Sequence, residues 1–292
     1  MPTYYYFAVQ AYGDNVISLG LLQRLAGKVD IRIVGSRLTG DVARVLGFSA
    51  FPIVQLYDDV SAVYNFRRSG LMRFGRDLAL LARFVRRLPP AESVLIFESE
   101  RRTLLHHALS LAAGGMPLHS TRRTDYAYHD RRRMLERIFG ATIDLPDCRR
   151  PTAGAHRAVI NPGARWKFRT IPAPVLGHLL DYARARAWEV CLLDPDEGYA
   201  DYRAKAAEYI PRPPLSVSVN HLKDADIYLG TDSFFLHLAY WFGIPQFALV
   251  PSETAQHLYF APPGLHEQGL FLPFPDANDR TLLFRRLDEF FA

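Results

Sequence analysis

The chain has 292 residues, 49% of them hydrophobic and 22% charged, and a formal charge of +5 in which arginine far outnumbers lysine. This is an ordinary globular composition, long enough for one large domain or two modest ones. No apolar run approaches the roughly 20 residues that span a bilayer, Cys148 and Cys191 make neither a disulfide framework nor a metal spacing, and the basic charge comes with no recognisable nucleic-acid-binding motif.

The N-terminus, Met1-Pro2-Thr3, lacks the basic region of a secretion signal, so a cytoplasmic location is expected. Tyr4 to Gln10 reads as a first strand, Gly13-Asp14-Asn15 as a turn, and Val16, Leu19, Leu22, Leu25 and Ala26 as the apolar side of a helix. Asp30 to Gly35 predicts a strand, Asp41 to Leu46 a short helix, and Phe51 to Tyr57 a third strand. Leu71 to Leu88 predicts a longer helix closed by Pro89-Pro90, followed by a strand from Ser93 to Glu98. Residues 101 to 140 read as less regular and strongly basic, and the Pro/Gly/Arg-rich piece from Leu145 to Gly154 as a linker. That places two domains at residues 1–150 and 151–292.

A second alternation follows. Strands are predicted at Ala158 to Asn161, Trp188 to Asp194, Asp226 to Gly230 and Gln246 to Val250. Helices are predicted around Val175 to Ala183, over Tyr199 to Tyr209, and after Ser233, where Leu236, Ala239, Tyr240 and Phe242 recur before Gly243 and Pro245. Strands alternating with helices in this rhythm imply an α/β protein with two Rossmann-like domains facing across a cleft. No dinucleotide fingerprint or P-loop is present, which disfavours a nicotinamide dehydrogenase or a P-loop kinase.

Open α/β sheets place ligands beyond the carboxyl ends of their strands. Asp14 follows the first strand, where a carboxylate can act as a general base or simply cap a helix. Arg165, Lys167 and Arg169 follow the strand ending at Asn161 and can hold phosphate oxygens. Asp232 and Ser233 sit where a strand turns into a helix, a place suited to a phosphate, with His237 one turn on; capping and packing are the plainer roles there. Asp194 and Glu197, in the turn Asp194-Pro195-Asp196-Glu197-Gly198, can meet a ribose or a base edge or only make the turn. His106, His107, His119 and His129 lack metal-ligand spacing, so no metal is expected. The arginines at 73, 76, 83, 86 and 87 on the Leu71 to Leu88 helix suit either a solvated face or peripheral contact with an anionic membrane.

Three of these pieces together resemble the heptosyltransferase-like glycosyltransferases, family 9 of the GT-B fold. They are Gly13-Asp14-Asn15-Val16 with Leu19, Leu21 and Leu22; Pro162-Gly163-Ala164 with Lys167, Arg169 and Pro172; and Asp224-Ala225-Asp226 through Asp232-Ser233, His237-Leu238-Ala239 and Gly243-Ile244-Pro245. The resemblance implies an inverting, metal-independent and cofactor-free transfer from a nucleotide-diphospho-sugar, ADP-heptose first, to a glycan or glycolipid such as lipopolysaccharide core. It implies Asp14 as general base, Arg169 or Lys167 on the diphosphate, and Asp232, Ser233 and His237 along the donor. Phe234 stands where the family signature has glycine, Arg169 where it has lysine, Ile171 where it has tryptophan, and Leu193-Asp194-Pro195 at a Gly-Gly-Pro-like turn. Phe234 therefore also admits a catalytically inactive relative that binds a nucleotide or glycan, or serves in an assembly.

Overall fold

The apolar runs of the first half pair side by side as one sheet. The computed structural model describes residues 2–61, 66–98, 104–124, 126–152, 154, 156–164, 166–252, 259–265 and 267–292, and the chain divides into two units, Met1–Asp144 and Leu145–Ala292. In the first unit β1 (Thr3–Ala8), β2 (Ile31–Ser36), β3 (Ile53–Tyr57), β4 (Ser93–Phe97) and β5 (Leu118–Ser120) form a sheet in the order β3-β2-β1-β4-β5. Every registered pair in it is parallel. The helices are α1 (Tyr12–Gln23), α2 (Arg37–Leu46), α3 (Phe66–Val85, broken at Gly70), α4 (Leu104–Ala113) and α5 (Ala127–Phe139). Tyr5, Phe7, Leu95 and Phe97 of the sheet pack with Leu81, Val85 and Leu109 of α3 and α4 as one core.

Two expectations for this unit change. Gly13-Asp14-Asn15 is not a turn but lies in the first turn of α1, where Asn15 Nδ2 donates to the Ala11 carbonyl at 3.0 Å. The stretch expected to be irregular carries α4, β5 and α5. Buried Ala127, Tyr128, Met134 and Leu135 give α5 an inward face, and the density of arginines hid that period.

In the second unit β6 (Arg157–Asn161), β7 (Glu189–Asp194), β8 (Glu208–Pro211), β9 (Ile227–Thr231), β10 (Gln246–Val250) and β11 (Phe271–Pro273) order as β11-β10-β9-β6-β7-β8. Counted from its own first strand, this is the order of the doubly wound dinucleotide-binding fold, and the first unit repeats it with one strand fewer. The helices are α6 (Ala173–Ala185), α7 (Leu215–Lys223), α8 (Phe234–Phe242), α9 (Phe274–Ala277) and α10 (Arg280–Phe291). The helix expected over Tyr199 to Tyr209 is instead a 3-10 helix at Ala200–Lys205 followed by β8. Pairing of Tyr209 and Ile210 with β7 overrode the local helical spacing.

The division between the units falls before the Pro/Arg-rich piece rather than inside it, because that piece is fastened to the second unit. Tyr240 Oη donates to the Pro146 carbonyl at 2.6 Å, Cys148 Sγ to the Pro263 carbonyl at 2.9 Å, and Gln268 Nε2 to the Cys148 carbonyl at 3.3 Å. Among the described residues no helix is long and apolar enough to cross a membrane.

Gly230 in β9 lets β6 and β9 approach. A Cβ there would lie 2.3 Å from Tyr228 Oη and 2.9 Å from the Asn161 carbonyl oxygen. Gly230→Ala is expected to destabilise the protein by about 1–3 kcal/mol. Gly40→Ala, inside α2 with nothing within 4 Å of the new methyl, is expected to stabilise it by roughly 0.5–1 kcal/mol. Denaturant unfolding of both variants measures the contrast; equal effects would refute the close approach.

Candidate functional site

A doubly wound sheet opens a crevice where its strand order reverses, beyond the carboxyl ends of the two strands at that point. The reversal lies between β1 and β4 in the first unit and between β6 and β9 in the second. Asp14 lies at the first of these places and Arg169, Asp232 and His237 at the second.

In the first unit, Gln10 follows β1, Asp14 and Ser18 lie on α1, Glu98 follows β4, and Arg131 reaches in from α5, which packs against α1. Arg131 Nη2 lies 2.6 Å from Asp14 Oδ1 and 3.3 Å from Glu98 Oε2. Its Nη1 donates to the Asp14 carbonyl at 2.9 Å and to Ser18 Oγ at 3.1 Å. The Gln10 amide, turned so that its nitrogen faces the carboxylate, donates to Asp14 Oδ1 at 2.7 Å and reaches Oδ2 at 3.3 Å. No backbone N–H among the described residues donates to the Asp14 carboxylate, and Ala11 occupies the cap position of α1. Asp14 is therefore an ion-pair partner rather than a helix cap.

Burial pushes the Glu98 carboxyl above its ordinary value, and Arg131 pulls it back only in part. Burial likewise opposes the charge on Arg131, but Glu98 and Asp14 more than offset that and raise its pKa. Tyr6, wholly buried beside this group, is raised well above the usual phenol range by burial and by Glu98.

In the second unit, Arg169 closes the 3-10 turn Lys167–Arg169 after β6, and Asp232 and Ser233 join β9 to α8. Arg169 Nη1 lies 2.6 Å from Asp232 Oδ2, and His237 Nε2 lies 4.0 Å from Asp232 Oδ1. Thr231 Oγ1 donates to the Arg169 carbonyl, which pins the loop against the end of β9. Arg169 Nε is buried without a protein acceptor among the described residues. Ser233 holds the cap position of α8 but its side chain makes no cap hydrogen bond; its Oγ meets Tyr228 Oη at 3.3 Å. The positive end of the α8 dipole thus points into the same corner as Arg169. Half-buried Phe234 stacks edge-on with Phe235 at 5.2 Å in the first turn of that helix.

Among the described residues, the others singled out in the sequence do not share this ion pair. Gly163 lets the turn after β6 touch the turn after β7: a Cβ there would lie 2.4 Å from Pro195 Cγ. Lys167 is exposed, and Arg165 lies outside the described residues. Asp194 is fully buried, and its oxygens accept from Gly198 N at 3.2 Å, Tyr199 N at 2.8 Å and Tyr209 Oη at 2.9 Å. Those contacts fasten the turn and strand β8 to β7. Glu197 pairs on the surface with Arg212 at 2.9 Å.

Sequence reasoning missed Arg131 and Glu98. It also missed a group in which Cys191, Glu208 and His221 bring a thiol, a carboxylate oxygen and a ring nitrogen within 4.8 Å of one another. That group has the ligand types of a metal site, but Arg157 Nη2 stands 3.5 Å from His221 Nδ1 and competes for the same lone pair.

No protein-family model matches the chain, and no curated protein matches it. Solved structures do match it. The E. coli heptosyltransferase WaaC with ADP aligns at a TM-score of 0.64 and 13% identity over 99% of this chain and 98% of that one. A glycosyl transferase family 9 structure from Veillonella parvula aligns at 0.62 and 14% identity over 93% and 85%. E. coli ADP-heptose lps heptosyltransferase II aligns at 0.59 and 11% identity over 100% and 98%. At such identities the likeness establishes the fold: α/β, of the GT-B class, with two Rossmann-like units.

Glu98 gives the first site a measurable titration. The folded protein keeps the Glu98 proton to a higher pH than the unfolded chain does. Its contribution to stability is therefore present at acid pH and is lost as pH rises through the folded value. Glu98→Gln cannot titrate. Thermal melts across the range above the ordinary value of 4.5 should show the wild type falling relative to Glu98→Gln as pH rises. Parallel curves would mean that Glu98 is not perturbed.

Proposed function

We propose that the protein is a glycosyltransferase that moves a sugar from a nucleotide-diphospho-sugar to a hydroxyl acceptor by an inverting displacement without a metal. One observation carries this reading: two doubly wound sheets in one chain, each with an arginine–carboxylate pair at its strand-order reversal. The second unit takes the donor. Arg169, Lys167 and the α8 N-terminus receive the diphosphate, with Asp232, Ser233 and His237 alongside. The acceptor oxygen attacks the anomeric carbon, the bond from that carbon to the phosphate oxygen breaks, and negative charge grows on the departing nucleoside diphosphate. Fixed cations and helix amides stabilise that charge. Asp14 takes the hydroxyl proton.

The likeness to E. coli heptosyltransferases, one of them with ADP, makes ADP-heptose the first donor to test. It makes a glycan or glycolipid such as lipopolysaccharide core the first acceptor, with the work done on the cytoplasmic side where nucleotide-sugars are made. Acidic Asp194 and Glu197 are the reserve partners for the nucleoside, although the contacts of Asp194 favour its turn. Phe234 favours a second reading, a protein of this fold that binds donor or glycan without turnover, because its ring stands in the turn that would meet the diphosphate.

Asp14→Asn keeps the size and polarity of the side chain but removes the base. It is expected to lower kcat by about 10²–10⁴-fold while donor Kd stays nearly unchanged. Wild-type turnover in that variant would remove Asp14 from the mechanism. Donor that binds with no nucleotide release across a panel of acceptors would instead favour the non-catalytic reading.

Arg169→Ala is expected to weaken nucleoside diphosphate binding by about 10–100-fold, the worth of one lost charge-assisted contact. Titration calorimetry with ADP reads this directly. The same loss in Lys167→Ala alone would move the phosphate site to Lys167.

A further inference from the structure

Helix α3 has two faces, and the core uses one. Leu81 and Val85, with Leu88 just beyond the helix, enter the core of the first unit, and Phe74, Leu78 and Phe84 pack against it. The other face exposes Met72, Arg76, Ala79, Arg83 and Arg86 in steps of three and four, with Leu71 and Arg87 beside them. Hydrogen bonds from Arg86 N to the Ala82 carbonyl and from Arg87 N to the Phe84 carbonyl carry the helical path past Val85. The stripe is about 21 Å long at helical rise.

Its charge has one sign. Asp77 is buried and pairs inward with Arg76 at 3.3 Å. Asp59 pairs with Arg73 at 3.6 Å beside the stripe, and Glu92 lies past Pro89-Pro90. Arginines near the end of a helix are favourable for its dipole, which accounts for Arg83, Arg86 and Arg87 but not for the apolar residues exposed with them. Leu71 is 74% and Met72 91% exposed, and on α4, packed beside α3, Leu111 is 85% exposed. Among the described residues these are three of the five large hydrophobic side chains left in solvent, the others being Trp166 and Phe168.

We propose that this face of the first unit docks on an anionic lipid surface. The arginines meet the headgroups, and Leu71, Met72 and Leu111 enter the apolar boundary beneath them. Charge selects the occupant, since a stripe that shows no exposed acid along its described residues matches a surface of one opposite sign. The proposal stands apart from the glycosyltransferase reading because adsorption is measured without turnover.

Co-sedimentation of the full chain with vesicles of phosphatidylcholine alone, or of phosphatidylcholine with phosphatidylglycerol, tests it. Binding is expected only to the anionic vesicles and should weaken as salt is raised. Arg83→Glu/Arg86→Glu/Arg87→Glu should reduce the partition coefficient at least about tenfold. Leu71→Ser/Met72→Ser/Leu111→Ser should reduce it while the melting curve stays that of the wild type. Failure to bind anionic vesicles, equal binding to both kinds, or unchanged binding by both variants would overturn the proposal. A dimer dissolved by the serine variant would overturn it too, by assigning the face to a second copy of the chain.

Discussion

The carboxyl edge of the first sheet depends on one guanidinium. The strand order brings the end of β1, the start of α1 and the end of β4 to one corner, and with them the carboxylates of Asp14 and Glu98. Two such groups out of water repel each other and lose hydration, and neither cost is met by apolar packing. Arg131, only 4% exposed, supplies the counter-charge to both and also satisfies a carbonyl and a hydroxyl of α1. A planar fork with five donors can serve that many acceptors at once, which the compact lysine ammonium cannot. Helix α5 is held beside α1 by the same contacts, so the ion cluster is also the clamp that fixes the position of the first helix.

The second unit repeats the chemistry with a different degree of closure. Arg169 and Asp232 lie as near each other as Arg131 and Asp14 do, yet the Arg169 side chain is 19% exposed against 4% for Arg131. That difference separates the two roles. Arg131 is sealed behind α1 and α5 and can serve only as a fixed counter-charge. Arg169 stands in a 3-10 turn and, among the described residues, keeps an Nε donor without an acceptor, which is the geometry the proposed phosphate role needs. Asp232 also has the His237 ring nitrogen at 4.0 Å from its other oxygen.

The alternation of strands and helices was legible in the sequence because buried parallel strands are short apolar runs and the helices between them carry a separate period. Strand order was not, since pairing between β6 and β9, or β1 and β4, joins residues far apart in the chain and leaves no local mark. The same reason explains which site residues were visible. Asp14, Arg169, Asp232 and Ser233 follow strand ends closely and could be found there. Arg131 lies 117 residues from Asp14 within a run of arginines, and only the fold distinguishes it from its neighbours. Cys191, Glu208 and His221 meet through the pairing of β7 with β8 and the packing of α7, so their spacing carries no metal signature. The 3-10 turn and strand in place of a helix after Tyr199 show the converse, a local period overruled by the edge of a sheet.

The contacts of Asp14 bear on what the corner is for. A carboxylate offers about four acceptor sites on its two oxygens. Arg131 uses Oδ1, as does the Gln10 amide when turned to face it, and among the described residues Oδ2 then has only the longer Gln10 contact at 3.3 Å. A base must present one oxygen in a fixed direction toward the proton it receives, and rigid holding of that kind is what makes positioning effective. The proposal that Asp14 takes the acceptor proton rests on this asymmetry as well as on its place after the first strand.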